Sequence, residues 1–190
     1  MPDYKPSVKK RKISKIKKGI LECIKRDGVA TLGTLTEHFG LKDKHKWWYG
    51  LRKKALEELL DKRRIVRIVH HFSTGASRER KFYVLNEPEL VRAVEVAKLH
   101  YGGGYHPEAN LLLEIDRRIK EGSPLVFSYR SITTDPVNKI AKNFSKTIEI
   151  KTRYENGKSV SEIKIKNKGK FEKIIKTLKK TLELRNLYRP

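Results

Sequence analysis

The sequence predicts an α+β chain: three helices and a β-hairpin first, then a helical connector, then a small domain ordered strand, helix, strand, strand, helix. Three observations carry the prediction. Apolar residues recur at helical spacing from Ile13 to Leu60, two β-branched runs flank a polar segment at 73–80, and Asn156-Gly157 stands between two alternating stretches. The expected divisions are a flexible basic arm at 1–12, a first domain at 13–86, a connector at 87–122 and a second domain at 123–190.

Residues 1–12 hold two prolines and a basic run, Lys9, Lys10, Arg11 and Lys12, with almost nothing to bury; they read as a mobile arm. Ile13, Ile16, Ile20 and Ile24 then make one face of an amphipathic helix that stops at Asp27-Gly28. Thr31 is placed to cap a short second helix with Leu32, Leu35 and Phe39 inward, and Gly40 to end it so that Leu41 folds back. Asp43 is placed to cap a longer helix through Lys62, with Trp48, Leu51, Ala55, Leu56, Leu59 and Leu60 inside. Two helices joined by a tight glycine turn, the second long and basic, make a helix-turn-helix. A strand at Ile65–Phe72, a polar loop at Ser73–Arg80 and a returning strand at Lys81–Leu85 complete the first half.

In the second half, Pro88 opens a helix carrying Leu90, Val94, Ala97 and Tyr101, which Gly102-Gly103-Gly104 ends as a hinge. A helix over Pro107–Glu121, with Leu112, Ile115 and Ile119 inward, stops at Gly122. Leu125–Arg130 alternates as a strand, and Asp135-Pro136 opens a helix with Val137, Ile140, Ala141 and Phe144 on one side. Folding Thr147–Lys166 at Asn156-Gly157 pairs Ile150 with Ile163 and Ile148 with Ile165 on one face. The other face then sets Lys151 against Glu162 and Glu149 against Lys164, and a slip of one residue would destroy both sets. A last helix, about Lys170–Asn186, buries Phe171, Ile174, Ile175, Leu178 and Leu182 and presents Lys170, Lys173, Lys176, Lys179 and Lys180, a candidate second basic surface.

Charge narrows the function. The 190 residues carry 45 Lys+Arg against 22 Asp+Glu, a net +23, with a sequence pI near 10.1. Residues 1–86 hold 23 basic and 9 acidic side chains (net +14), 87–146 hold 9 and 8 (net +1), and 147–190 hold 13 and 5 (net +8). Two separate basic surfaces follow, and nucleic acid is the default partner for such surfaces. No apolar run approaches the ~20 residues that span a bilayer, so no membrane partner is expected and the location reads as cytoplasmic and nucleoid-associated. One cysteine, Cys23, cannot form an internal disulfide. Gln is absent and Lys, Glu and Ile are abundant, a composition of hyperthermophile type.

The stretches TLGTLTEHFGL, LRKKALEELLDKRRIVRIV and KFYVL resemble the winged-helix (winged helix-turn-helix) family of DNA-binding regulators, archaeal members in particular, over Val29–Leu85. The resemblance implies that the exposed side of the Asp43–Lys62 helix enters the major groove, with Lys44, His45, Lys46, Tyr49, Arg52 and Lys53 facing it. It also implies that a Ser73–Lys81 wing tip reaches phosphates or the minor groove through Arg78, Arg80 and Lys81. The sequence departs from the family in opening that helix with Lys44-His-Lys-Trp-Trp-Tyr-Gly50 where small polar residues are common, so a base-reading pattern does not carry over.

Other chemistry is weighed against these residues. Trp47 and Trp48 point about 100° apart on a helix and read as structural more than as a stacking platform. His70 and His71 fall on opposite faces of a strand and cannot share an ion; no metal site is expected, and no cofactor. Glu108, Glu114, Asp116, Glu121 and Asp135 are scattered, and no serine has a nucleophile elbow, so no catalytic residue is assigned. The expected function is a sequence-specific transcriptional regulator on double-stranded DNA, with homodimerisation open. The alternatives are an architectural or RNA/single-strand-binding protein, then a nucleic-acid-processing enzyme.

Overall fold

The computed structural model describes residues 8–42, 50–72, 78–97, 106–129 and 136–186. The chain is α+β and divides into two units, Met1–Glu87 and Pro88–Pro190. Among the described residues no helix is long and apolar enough to cross a membrane.

The first unit contains α1 (Val8–Asp27), α2 (Leu32–His38), α3 (Leu51–Asp61), β1 (Ile65–Phe72) and β2 (Arg78–Leu85). The isoleucine stripe of α1 does what its spacing demands: Ile13, Ile20 and Ile24 are buried with Cys23, against Leu35 of α2 and Ala55, Leu56 and Leu59 of α3. Large side chains buried this way contribute about 1.5–3 kcal/mol each, which holds together helices too short to stand alone. Thr31 and Thr34 cap α2 reciprocally, backbone N–H to hydroxyl in both directions (2.9 and 3.3 Å). At its other end Gly40, at φ +62°, lets its own N–H reach Glu37 O and that of Leu41 reach Thr36 O, turning Leu41 onto the core. Phe39 lies on α1 at Gly19, where a β-carbon would stand 2.7 Å from Cζ of the ring.

β1 and β2 pair antiparallel, Ile65 opposite Leu85 through Phe72 opposite Arg78. Ala30 adds a single bridge to β2, exchanging both backbone bonds with Tyr83 (2.8 and 2.9 Å). Ile65 and Tyr83 join the core of the unit, while Ile68, His70, Phe82 and Val84 on the other face are buried too.

Two expectations change here. The helix predicted from Ile13 begins at Val8, so Lys10, Arg11 and Lys12 are exposed helical residues and not part of a mobile arm; Lys9 also falls within α1. The expected single helix from Asp43 to Lys62 begins instead at Leu51. Gly50 sits at φ 79°, ψ −141°, far from helical values, and is itself the N-cap. Asp43 therefore does not cap α3, and residues 43–49 lie outside the described residues.

The second unit contains α4 (Pro88–Val96), α5 (Pro107–Glu121), β3 (Val126–Tyr129), α6 (Pro136–Asn143), β4 (Ile148–Glu155), β5 (Lys158–Ile165) and α7 (Lys168–Asn186). Its sheet is antiparallel throughout, ordered β3-β5-β4. The predicted register of β4 and β5 holds at every pair, from Ile148 opposite Ile165 to Glu155 opposite Lys158. Asn156 and Gly157 take φ 49° and 72°, as a tight hairpin turn of this hand requires. One face of the sheet, with Phe127, Ser161, Ile163 and Ile148, is buried, and the other exposes Lys151, Arg153, Glu162 and Lys164.

All five apolar residues assigned to the inner side of α7 are buried. Ile119, expected inside, is 37% exposed, because the buried stripe of α5 runs through Ala109, Leu111, Leu112 and Ile115 and the core ends a turn before it. The expected connector is no separate element: α4 packs against α7, and α5 against α6 and α7, within one unit. The glycine hinge lies outside the described residues.

A polar centre ties three of these helices together. Glu108 is fully buried and receives Arg92 Nη2 at 2.5 Å, Arg92 Nε at 3.2 Å and Asn143 Nδ2 at 3.0 Å. Burial pushes its carboxyl up, but Arg92 and Asn143 outweigh that and hold it below the ordinary glutamate range.

Candidate nucleic-acid interface

The charged surface of the first unit follows from helical phase. With its isoleucines inward, α1 turns Arg11, Ser14, Lys15, Lys18 and Lys25 outward, all exposed, with Glu22 the one acid among them. At 1.5 Å per residue this row from Arg11 to Lys25 is about 21 Å long, several phosphate spacings of a nucleic-acid strand. Lys18 lies 3.8 Å from Glu22, a loose exposed pair. Lys17, half-buried, is committed elsewhere: its Nζ meets Glu58 at 2.8 Å, joining α1 to α3 and holding the Glu58 carboxyl below its ordinary range.

On α3 the exposed positions are Lys53, Lys54, Glu57 and Asp61. Both lysines sit in the first turn, where a helix disfavours cations unless an anion faces it. Lys53 is exposed as expected, 3.7 Å from Glu57. Arg52 is a correction. It stands three, four and seven residues before Ala55, Leu56 and Leu59, and so faces the core side. It is half-buried, and its Nε is buried with no hydrogen-bond partner among the described residues. Lys44, His45, Lys46 and Tyr49 lie outside the described residues.

The wing residues also move. Arg78 and Arg80 belong to β2 and not to the loop, while Lys81 lies in the returning strand as expected: Arg78 pairs with Phe72, Arg80 with His70 and Lys81 with Val69. Arg80 and Lys81 are half-buried and point to opposite faces, so they cannot both belong to one contact surface. The loop between the strands, 73–77, lies outside the described residues. His70 and His71 diverge as their spacing requires: His70 is buried with its ring centroid 4.7 Å from that of Phe82, and His71 is exposed 3.8 Å from Glu79.

In the second unit the lysine row of α7 is only partly open. Lys170, Lys173 and Lys176 are exposed, but Lys179 Nζ meets Asp116 at 2.6 Å and Lys180 Nζ meets Glu183 at 2.7 Å. Of the scattered acids, Asp135 lies outside the described residues and the others are likewise engaged. Hydrogen bonds from Arg117 and then Arg118 bring Glu114 down to about 2, and Glu121 pairs with Arg117. Burial raises Asp116, yet Lys179 and Lys120 together leave it lowered. Among the described residues no three His, Cys, Asp or Glu side chains are placed to hold a metal ion. Cys23 is buried, and burial followed by Asp27 pushes its thiol up to about 11, which removes it as a nucleophile near neutral pH.

The sequence reading missed Lys15, Lys18 and Lys25. Their signal was present as the complement of the isoleucine stripe, at the same helical period. Comparison with protein families, with curated proteins and with solved structures finds no match to this chain.

Proposed function

We propose that this chain is a DNA-binding protein whose first unit engages double-stranded DNA in the manner of a winged helix, acting as a sequence-specific regulator. The observation that carries the proposal is the outer face of α1 with the first turn of α3: Arg11, Lys15, Lys18, Lys25, Lys53 and Lys54 are exposed, with Glu22 and Glu57 as the acids on these faces among the described residues. Cations in that ratio suit a polyphosphate backbone and release its counterions on binding. The order of helices, glycine turn and hairpin supports the winged-helix reading, with α3 offered to the groove by its N-terminal end.

The inward turn of Arg52 favours a second reading, in which the protein follows the backbone without choosing a sequence, since the outer face of α1 offers lysine and arginine but little that reads bases. Selection of binding sites from a random duplex pool separates the two. Enrichment of one motif, with affinity for it at least ~10³-fold above random duplex at fixed salt, supports the regulator. Replacing Arg11, Lys15, Lys18 and Lys25 by Gln should flatten the salt dependence on both DNAs. An unchanged salt slope would remove the first unit from the interface.

A further inference from the structure

We propose that the second unit carries its own phosphate-binding surface, made where the α6–β4 turn meets the β5–α7 turn, and that it takes the backbone of a nucleic-acid duplex. The partner class is that proposed for the first unit, but this surface is argued from different residues and can fail separately.

Two lysine runs far apart in sequence are brought together there. Lys139, Lys142 and Lys146 lie on α6 and the turn after it, in a stretch (136–147) with no acidic residue. Lys164, Lys166, Lys168, Lys170 and Lys173 run from β5 into α7, with Glu172 as the one acid. All eight lysines are exposed. The backbone fixes their meeting: the N–H groups of Lys166 and Asn167 donate to Thr147 O at 2.9 and 3.4 Å, and Lys166 Nζ donates to Ser145 O. Ile148 N–H in turn donates to Phe144 O at 2.8 Å, so the α6–β4 turn is itself held closed.

Several cations elsewhere in this unit are matched by acids, although Lys176, exposed on α7, forms no ion pair among the described residues. Lys179 and Lys120 hold Asp116, Lys180 meets Glu183, Arg117 and Arg118 grip Glu114, and Arg153 meets Glu155. Among the described residues Lys139, Lys142, Lys146, Lys168, Lys170 and Lys173 form no ion pair. Lys168 and Lys170 stand in the first turn of α7, against the sense of the helix dipole, with Asn167 as the cap (Oδ1 to Lys170 N–H, 2.9 Å). Six lysines without an ion pair, gathered where these two turns meet, give a surface suited to an external anion.

A polyphosphate fits better than a membrane. The exposed large hydrophobic side chains among the described residues, Ile119, Val126 and Tyr154, all lie outside the two lysine runs, and firm membrane binding draws on inserted apolar groups as well as charge.

The test uses the full chain on a random duplex. Replacing Lys142, Lys146, Lys168 and Lys170 by Gln should lower the slope of log K against log salt by about 2–4, at ~0.9 for each phosphate no longer neutralised. A control removes four charges from positions that face or pair with acids, Lys151, Arg153, Lys158 and Lys180, and should change the slope by less than ~1. Both variants must keep the wild-type melting transition, since seven of the eight side chains are exposed and Lys180, half-buried, carries its charged end beside exposed Glu183. An unchanged slope in the first variant, or equal losses in both, overturns the proposal. Binding to phosphatidylserine vesicles that the first variant abolishes while its duplex binding is untouched assigns the surface to membranes and overturns it too. Failure of the α1 variant with success here would leave this surface standing without the reading of the first unit.

Discussion

The buried carboxylate of Glu108 offers the sharpest test of how the second unit is held together. It is fully buried, while Arg92, its chief partner, keeps about a third of its side chain (31%) in solvent. Removing the two partners therefore has unequal costs. Arg92→Met strips both guanidinium donors and leaves the carboxylate with Asn143 and little else. Orphaning a buried charge in this way costs about 3–5 kcal/mol. Glu108→Gln keeps the shape and one acceptor, and water can reach the guanidinium it releases, so the cost is nearer ~1–2 kcal/mol. The double variant should cost less than Arg92→Met alone, giving a coupling of about 2 kcal/mol.

The pH dependence makes the test stricter. In the native chain the Glu108 carboxyl is lowered, so its contribution is complete above the unfolded glutamate range and is lost as pH falls through the folded value. In Arg92→Met burial, the largest cause, is opposed only by Asn143 and His106 and raises it, so folding takes up a proton and the deficit shrinks on acidification from pH 7.5 to 5. Urea unfolding followed by far-UV circular dichroism at the two pH values measures both effects. If Arg92→Met costs no more than Glu108→Gln, or if its deficit does not shrink at pH 5, the buried-pair account is wrong.

Arg63 ends α3 at φ 50°, so Arg63→Gly should relieve left-handed strain and stabilise the first unit by about 1 kcal/mol in urea unfolding. Gly157→Val at φ 72° should cost at least ~1–2 kcal/mol through the β4–β5 turn, read as a lowered melting temperature. Cys23, buried and pushed up to about 11, should react with a thiol reagent at pH 8 only as fast as the first unit opens, and at once in denaturant; rapid reaction of the folded chain would contradict its placement.

What could be read from the sequence was local. The β4–β5 register was legible because apolar and opposite-charge pairs agree on one alignment across a two-residue turn, and the caps at Thr31, Gly40 and Gly122 act within a few residues of themselves. Arg52 was misplaced by carrying a helical phase from Asp43 through Gly50; once the helix restarts at Leu51, its spacing to Ala55, Leu56 and Leu59 puts it inside. The neutralisation of Lys179 by Asp116 spans 63 positions, and the meeting of Thr147 with Lys166 depends on how the sheet closes; no periodicity carries either.

Charge shows the same division between composition and placement. Counting alone divides the basic excess between the two ends of the chain. It does not show which cations are already held: Lys17, Lys120, Lys179 and Lys180 each meet a carboxylate. Subtracting such pairs moves the open charge of the second unit from the length of α7 to its N-terminal half and the neighbouring α6–β4 turn. In the first unit it leaves the outer face of α1 and Lys54, together with exposed Lys62, Arg63, Arg64 and Arg67. A duplex responds to charge that it can reach and that no neighbouring acid already holds, so the salt slope of surface variants, not net charge, is the quantity that maps where this protein meets its partner.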